Sequence, residues 1–153
     1  MNIREEKAGD GEAIETLTYQ AFENHPHHEP GALTLSLVAE EDGAIVGQIT
    51  FSPVTINGRD SDWFGLGPVS VKPERQGEGI GSQLIRNGLE RLKKRGAGGV
   101  VLLGEPAYYG RFGFKANPDL TLPGVPAEYF VIQVLRAGGT VPKGVIGYHR
   151  AFG

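Results

Sequence analysis

The sequence predicts an α+β fold built on a mixed, mostly antiparallel, twisted sheet of six to seven strands. Three observations carry this expectation. Residues 33–40, 44–56 and 62–71 are β-rich runs joined by Glu41-Asp42-Gly43 and Asn57-Gly58, dipeptide signals of tight hairpins, so they form an antiparallel meander. The third run leads into an amphipathic helix over residues 79–95, then into a continuously apolar run over 98–104. Strand, helix and buried strand in that order make a βαβ unit with a right-handed crossover. Two further β-rich runs, 128–135 and 144–152, close the chain.

At 153 residues the chain suits a single domain, 1–153, with a sizeable core. Hydrophobic residues at 39% and charged residues at 22% place it among soluble globular proteins. The net charge of −3 gives no global attraction to nucleic acid or to an anionic membrane, so neither is expected as a partner. The absence of cysteine excludes disulfides, thiol nucleophiles and thiolate-bound metals. No run approaches the roughly 18 apolar residues of a membrane span. The polar start, Met1 to Glu6, is unlike a signal peptide, and a cytoplasmic location follows by default.

Taken in order, residues 2–6 form a short first strand. Asp10 is placed to cap a helix in which Ala13, Ile14, Leu17, Thr18, Ala21 and Phe22 recur at helical spacing, to about residue 23. His25, His27 and His28 then fall within four residues, a pattern that invites a metal. Ligands on one short loop rarely converge without a flanking helix to fix them, and Pro26 and Pro30 break this segment. It reads as a solvated loop without a metal. In the third strand, Gly65-Leu66-Gly67-Pro68 marks a bulge, because Pro68 cannot donate to a ladder. Such a bulge either bends the sheet or splays neighbouring strands and opens backbone groups to a ligand.

Along the helix at 79–95, Ile80, Leu84, Ile85, Leu89 and Leu92 form one apolar stripe. Arg86, Glu90, Arg91, Lys93 and Lys94 face water, and the basic last turn suits the helix dipole better than it suits nucleic acid. Gly96 ends the helix. Pro106 fits the first position of a short helix reaching Phe112, which Gly113-Phe114 terminates. A Pro- and Gly-rich loop over 117–127 precedes the late strands.

The stretch from Val69 to Ser82 joins the bulged strand to the long helix through Gln76-Gly77-Glu78-Gly79-Ile80-Gly81. Glycine permits tight turns and close approach of a ligand. The first amides of a helix lack intrahelical partners and lie at its positive end, so this turn is suited to a phosphate or pyrophosphate. It is not a P-loop, since Gly81 is followed by Ser82-Gln83 and not by Lys and Ser or Thr. Nor does it have the Gly-x-Gly-x-x-Gly spacing of a dinucleotide fingerprint.

What it resembles, as Gln76-x-x-Gly79-x-Gly81 after the bulged strand ending Val69-Ser70-Val71, is the pyrophosphate loop of the GNAT superfamily of acetyl-CoA-dependent N-acetyltransferases. Tyr109-Gly110-Arg111-Phe112-Gly113-Phe114 is similar to that family's Tyr-x-x-x-Gly-Phe. The order of elements over essentially the whole chain matches as well. The resemblance implies a three-layer α/β/α arrangement with helices on both faces of the sheet, the acyl-CoA N-acyltransferase fold. Two departures stand out. The family's usual second helix is replaced by the His-rich loop, and Gly104-Glu105-Pro106 stands where many members place an Asn.

The resemblance further implies acetyl-CoA as cosubstrate, its pyrophosphate on the backbone amides of Gln76, Gly77, Glu78, Gly79, Ile80, Gly81 and Ser82. Its pantetheine arm would lie as an extra strand along Val69, Ser70 and Val71, with the Val69 amide aimed at the thioester oxygen. Tyr109 becomes the acid, since a phenol stays protonated at neutral pH and can donate to the departing thiolate. Tyr108 is turned about 100° away on the same short helix. Glu23, His27, His28, Glu29 and Glu105 are alternatives for a base, and none is selected. The acceptor is a primary amine on a small molecule or peptide; polyamine, amino acid, antibiotic and protein N-terminus all stay open. A non-catalytic acyl-CoA-binding or regulatory domain of the same fold is the other reading. Late strands of such folds often pair between subunits, which makes a homodimer one assembly to test.

Overall fold

The computed structural model describes residues 1–7, 9–11 and 34–148. The helix expected from Asp10 to about residue 23 lies outside these residues beyond Gly11, as do the His-rich loop, Glu23, Glu29 and the end of the last strand at 149–152.

Four strands open the sheet: β1 (Asn2–Glu5), β2 (Leu35–Glu41), β3 (Ala44–Ile56) and β4 (Arg59–Val71), each antiparallel to the one before it. The two hairpins turn where expected. Asp42 and Gly43 have φ of 53° and 81°, and Asn57 and Gly58 have φ of 53° and 77°, so both residues of each turn have the positive φ that a right-twisted hairpin needs. A 3-10 turn, Pro73–Arg75, leads to helix α1 (Ile80–Lys94) and to β5 (Gly99–Leu103). β5 lies parallel beside β4 and completes the βαβ unit. Helix α2 (Pro106–Tyr109) continues as a 3-10 turn, Gly110–Phe112. Then come β6 (Lys115–Ala116), β7 (Leu120–Thr121), β8 (Phe130–Val134) and β9 (Gly144–Tyr148).

The strand order is β1-β2-β3-β4-β5-β8-β6, with β9 paired to the far end of β3 and to β7. Among the described residues only β4–β5 and β7–β9 are parallel. The two-residue strands β6 and β7 fall in or beside the predicted loop, being too short to show periodicity. β8 already has β5 on one side and β6 on the other, so β9 takes the edge of β3.

Two apolar clusters flank the sheet. The first joins Leu35, Leu37, Ile49, Phe51, Val100 and Leu102 to Ile80, Leu84, Ile85, Leu89 and Leu92, the whole predicted stripe of α1. Tyr108 and Tyr109 pack against its rim. The second cluster gathers Val54, Trp63, Val101, Leu120, Phe130, Ile132 and Ile146. Alternating residues of β5 thus enter both clusters, which explains its continuously apolar sequence. At the end of α1, Gly96 has φ of 84°, its amide donates to the Lys93 carbonyl at 3.1 Å, and the Ala97 amide donates to the Leu92 carbonyl at 3.0 Å. This is a Schellman stop, and it turns the chain straight into β5.

Candidate active site

The site begins with a defect in the sheet. β3 and β4 pair in register from Gly47↔Val71 to Ile49↔Val69, but the next pair is Phe51↔Leu66. Two steps on β3 thus match three on β4, so β4 carries one extra residue at Gly67-Pro68, where Gly67 has φ of 145°. On its other side β4 pairs with β5 only from Trp63↔Gly99 to Gly65↔Val101. Beyond Gly65 the two strands part. The edge of β4 over Leu66 to Val71 then pairs with no strand among the described residues, while β5 runs on to Leu103 beside β8. The predicted bulge therefore splays the strands, and it leaves a strand-sized opening next to Val69, Ser70 and Val71. The Ser70 side chain is buried, on the face away from α1.

At the foot of the opening lies the glycine loop. Gly77 and Gly79 both have φ of 86°, and a Cβ at either would meet nothing within 4 Å, so the requirement for glycine is conformational and the space beside them is open. Gly79 is the cap residue of α1 and makes no side-chain cap bond, which leaves the first amides of the helix to other partners. The side chains of the loop are tied back from this open side. Arg75 donates to both carboxylate oxygens of Glu41, at 3.0 and 3.2 Å, and to Glu78 at 2.8 Å. Those bonds hold the Glu41 carboxyl below its usual pKa. The Gln76 amide donates to the Val71 carbonyl at 3.1 Å and fixes the loop to the strand end. Ile80 is buried in the core beneath the loop. Sequence reasoning did not single out Arg75, because its partner Glu41 sits at the end of β2, 34 residues away.

Across the opening, α2 starts immediately after β5. Glu105, expected as one alternative base, caps α2 by accepting from the Ala107 amide at 3.3 Å and is otherwise exposed. Tyr109 is half-buried, with its ring edge-to-face against Phe114 at 6.3 Å and against Tyr108 at 5.0 Å. Burial raises its pKa above the ordinary tyrosine value, and the neighbouring Tyr108 adds to this. The rings of Tyr108 and Tyr109 stand 89° apart, and each carries its own hydroxyl. That of Tyr108 lies 3.4 Å from Ser82 Oγ, on the first turn of α1. Two further residues were missed by sequence reasoning. One is Tyr108 as a neighbour of the loop. The other is Gly104, where a Cβ would lie 2.5 Å from the Tyr109 ring.

A cavity of about 580 Å3 lies among Asn117, Leu120, Leu122, Val125 and Phe130 and includes none of the predicted site residues. Among the described residues no group of His, Asp or Glu could hold a metal ion. No helix there is long and apolar enough to cross a membrane.

A parted parallel strand pair, with a glycine loop at the following helix start, sets an edge for an extended ligand beside a site for an anion, the arrangement the resemblance implies for an acyl-CoA. Comparison with known proteins agrees. Residues 2–116 match the family model of the acetyltransferase (GNAT) domain. The chain is 37% identical to YhbS of Escherichia coli K12, described as an uncharacterized N-acetyltransferase, over 99% of this chain and 98% of that protein. Among solved structures it is similar to a GNAT family acetyltransferase from Brucella melitensis in complex with acetyl-CoA. There the identity is 46%, the TM-score is 0.82, and 99% and 97% of the two chains are covered. It also resembles E. coli YhbS in complex with CoA, at 33% identity and a TM-score of 0.86, covering 99% and 91%. The chain belongs to the GNAT family of acetyltransferases.

Proposed function

We propose that the chain is a single cytoplasmic N-acetyltransferase domain that moves the acetyl group of acetyl-CoA to a primary amine on a small molecule or peptide. The observation that carries this reading is the parting of β4 and β5 beyond Gly65 and Val101, directly above the open glycine loop. An acyl-CoA has a diphosphate at one end of an extended, amide-bearing arm. The diphosphate suits the amides from Gly77 to Ser82; the Gln76 amide, also expected there, donates instead to the Pro73 carbonyl at 3.4 Å. The arm suits the edge of β4 beyond Gly65, where strand-like hydrogen bonding to Val69 and Val71 would hold it. CoA-bound relatives support the same ligand.

The chemistry then follows from what lies at the top of the opening. The neutral amine attacks the thioester carbon, and charge builds on the carbonyl oxygen. The Val69 amide is the donor we assign to it, since Pro68 has none to offer. As the tetrahedral intermediate collapses, the C–S bond breaks and the thiolate takes a proton from Tyr109. A raised pKa keeps that phenol protonated for the task. Glu105 is engaged as a helix cap, and no described residue is assigned as base. The attacking amine enters from its neutral fraction; the proton its nitrogen sheds as the amide forms passes to solvent, and Tyr109 regains a proton from solvent before the next turnover.

Thiol release from acetyl-CoA, followed with a disulfide dye against a panel of amines, tests the proposal. Amine-dependent release supports it. Tight CoA binding with no release across a broad panel would instead establish a non-catalytic acyl-CoA-binding domain.

A further inference from the structure

Most arginines among the described residues are spoken for. Arg4, Arg75, Arg91, Arg95 and Arg136 all form ion pairs. Arg86 and Arg111 are exposed and form no ion pair among the described residues, yet each is held in place by an aromatic ring. The Arg86 guanidinium lies 4.8 Å above the Phe112 ring, and that of Arg111 lies 4.7 Å above the Tyr108 ring. Tyr108 and Phe112 are themselves in contact, with centroids 5.5 Å apart. The result is a row of Arg111, Tyr108, Phe112 and Arg86. Stacking on a ring holds a guanidinium plane without consuming its N–H edge, which stays free to donate.

The row stands beside the loop. The Tyr108 hydroxyl meets Ser82 on the first turn of α1, and Arg86 is one turn further along the same helix face. Arg86 thus stands one helical turn beyond Ser82, and Arg111 reaches the same helix start through the Tyr108 ring on which it stacks. In CoA a third phosphate is attached to the ribose 3′-oxygen, one sugar away from the diphosphate. We infer that Arg86 and Arg111 bind this 3′-phosphate and so set a preference for CoA over its 3′-dephospho form. The inference rests on acetyl-CoA being the cosubstrate. Planar, pre-oriented guanidiniums suit a phosphate dianion better than flexible ammonium groups do.

Calorimetry with CoA and with 3′-dephospho-CoA tests this on the unmodified protein first. The expected result is CoA binding tighter by roughly tenfold, a ratio that shrinks as salt is raised. In the double variant Arg86→Gln, Arg111→Gln the ratio should fall to within about twofold of unity, while dephospho-CoA affinity stays within about twofold of the unmodified protein. Equal binding of the two ligands by the unmodified protein overturns the inference and leaves the cosubstrate reading intact. So does a double variant that keeps the full preference. Binding of neither ligand overturns both.

Discussion

Tyr109 and Gly104 form one unit. The ring of Tyr109 lies against the backbone at the end of β5 only because residue 104 has no side chain. Replacing Gly104 with Ala should push that ring off the opening and lower kcat, by up to roughly 10²-fold, with CoA affinity little changed. Unchanged kcat would show that the ring has room to spare. Tyr109→Phe removes only the hydroxyl and should lower kcat by roughly 10²-fold, whereas Tyr108→Phe should leave kcat nearly intact. Equal effects of the two would remove Tyr109 from its role. The pH dependence has a definite sign. Tyr109 works in its protonated form, and burial raises its pKa above the ordinary 10.0. Loss of kcat caused by Tyr109 should therefore appear only as pH rises beyond 10.0. A basic limb at lower pH that vanishes in Tyr109→Phe would contradict the assignment.

At the level of elements, α1 does two things at once. Its N-terminus supplies the amides of the loop, and its apolar stripe presses close to the sheet. Closeness depends on glycine at two contacts. A Cβ at Gly88 would enter the Phe51 ring, and one at Gly47 on β3 would lie 2.9 Å from Ile80 Cγ2. Gly88→Ala should therefore destabilise the protein by about 1–3 kcal/mol through overpacking, despite Ala's better helix propensity. Urea denaturation measures this, and a stability gain would mean that the helix can lift without loss. Gly79→Asp acts on the other end. It puts a carboxylate and a strained positive φ where a diphosphate is expected, and should weaken CoA binding more than tenfold in a folded protein. Unchanged affinity by calorimetry would place the diphosphate elsewhere.

For the whole molecule, local chemistry made much of the fold readable in advance. Asp42-Gly43 and Asn57-Gly58 adopt the positive φ values that their sequences favour. The stripe from Ile80 to Leu92 is buried throughout, and Gly67-Pro68 forms the bulge. What escaped notice depends on partners distant in sequence. The tie from Arg75 to Glu41, the meeting of Tyr108 with Ser82 and the pairing of β9 with β3 each join residues that no short-range pattern connects. The opening itself was half legible. The bulge could be read from Gly and Pro, but whether it would bend the sheet or part β4 from β5 depended on how β5 is held by β8. A crystal structure of the acetyl-CoA complex tests the whole arrangement most directly. The account predicts diphosphate oxygens within hydrogen-bonding distance of the amides from Gly77 to Ser82, and the pantetheine arm along β4 beyond Gly65. It also predicts the thioester sulfur within reach of the Tyr109 hydroxyl. A cofactor arm lying outside the β4–β5 opening, or a sulfur facing away from Tyr109, would contradict it.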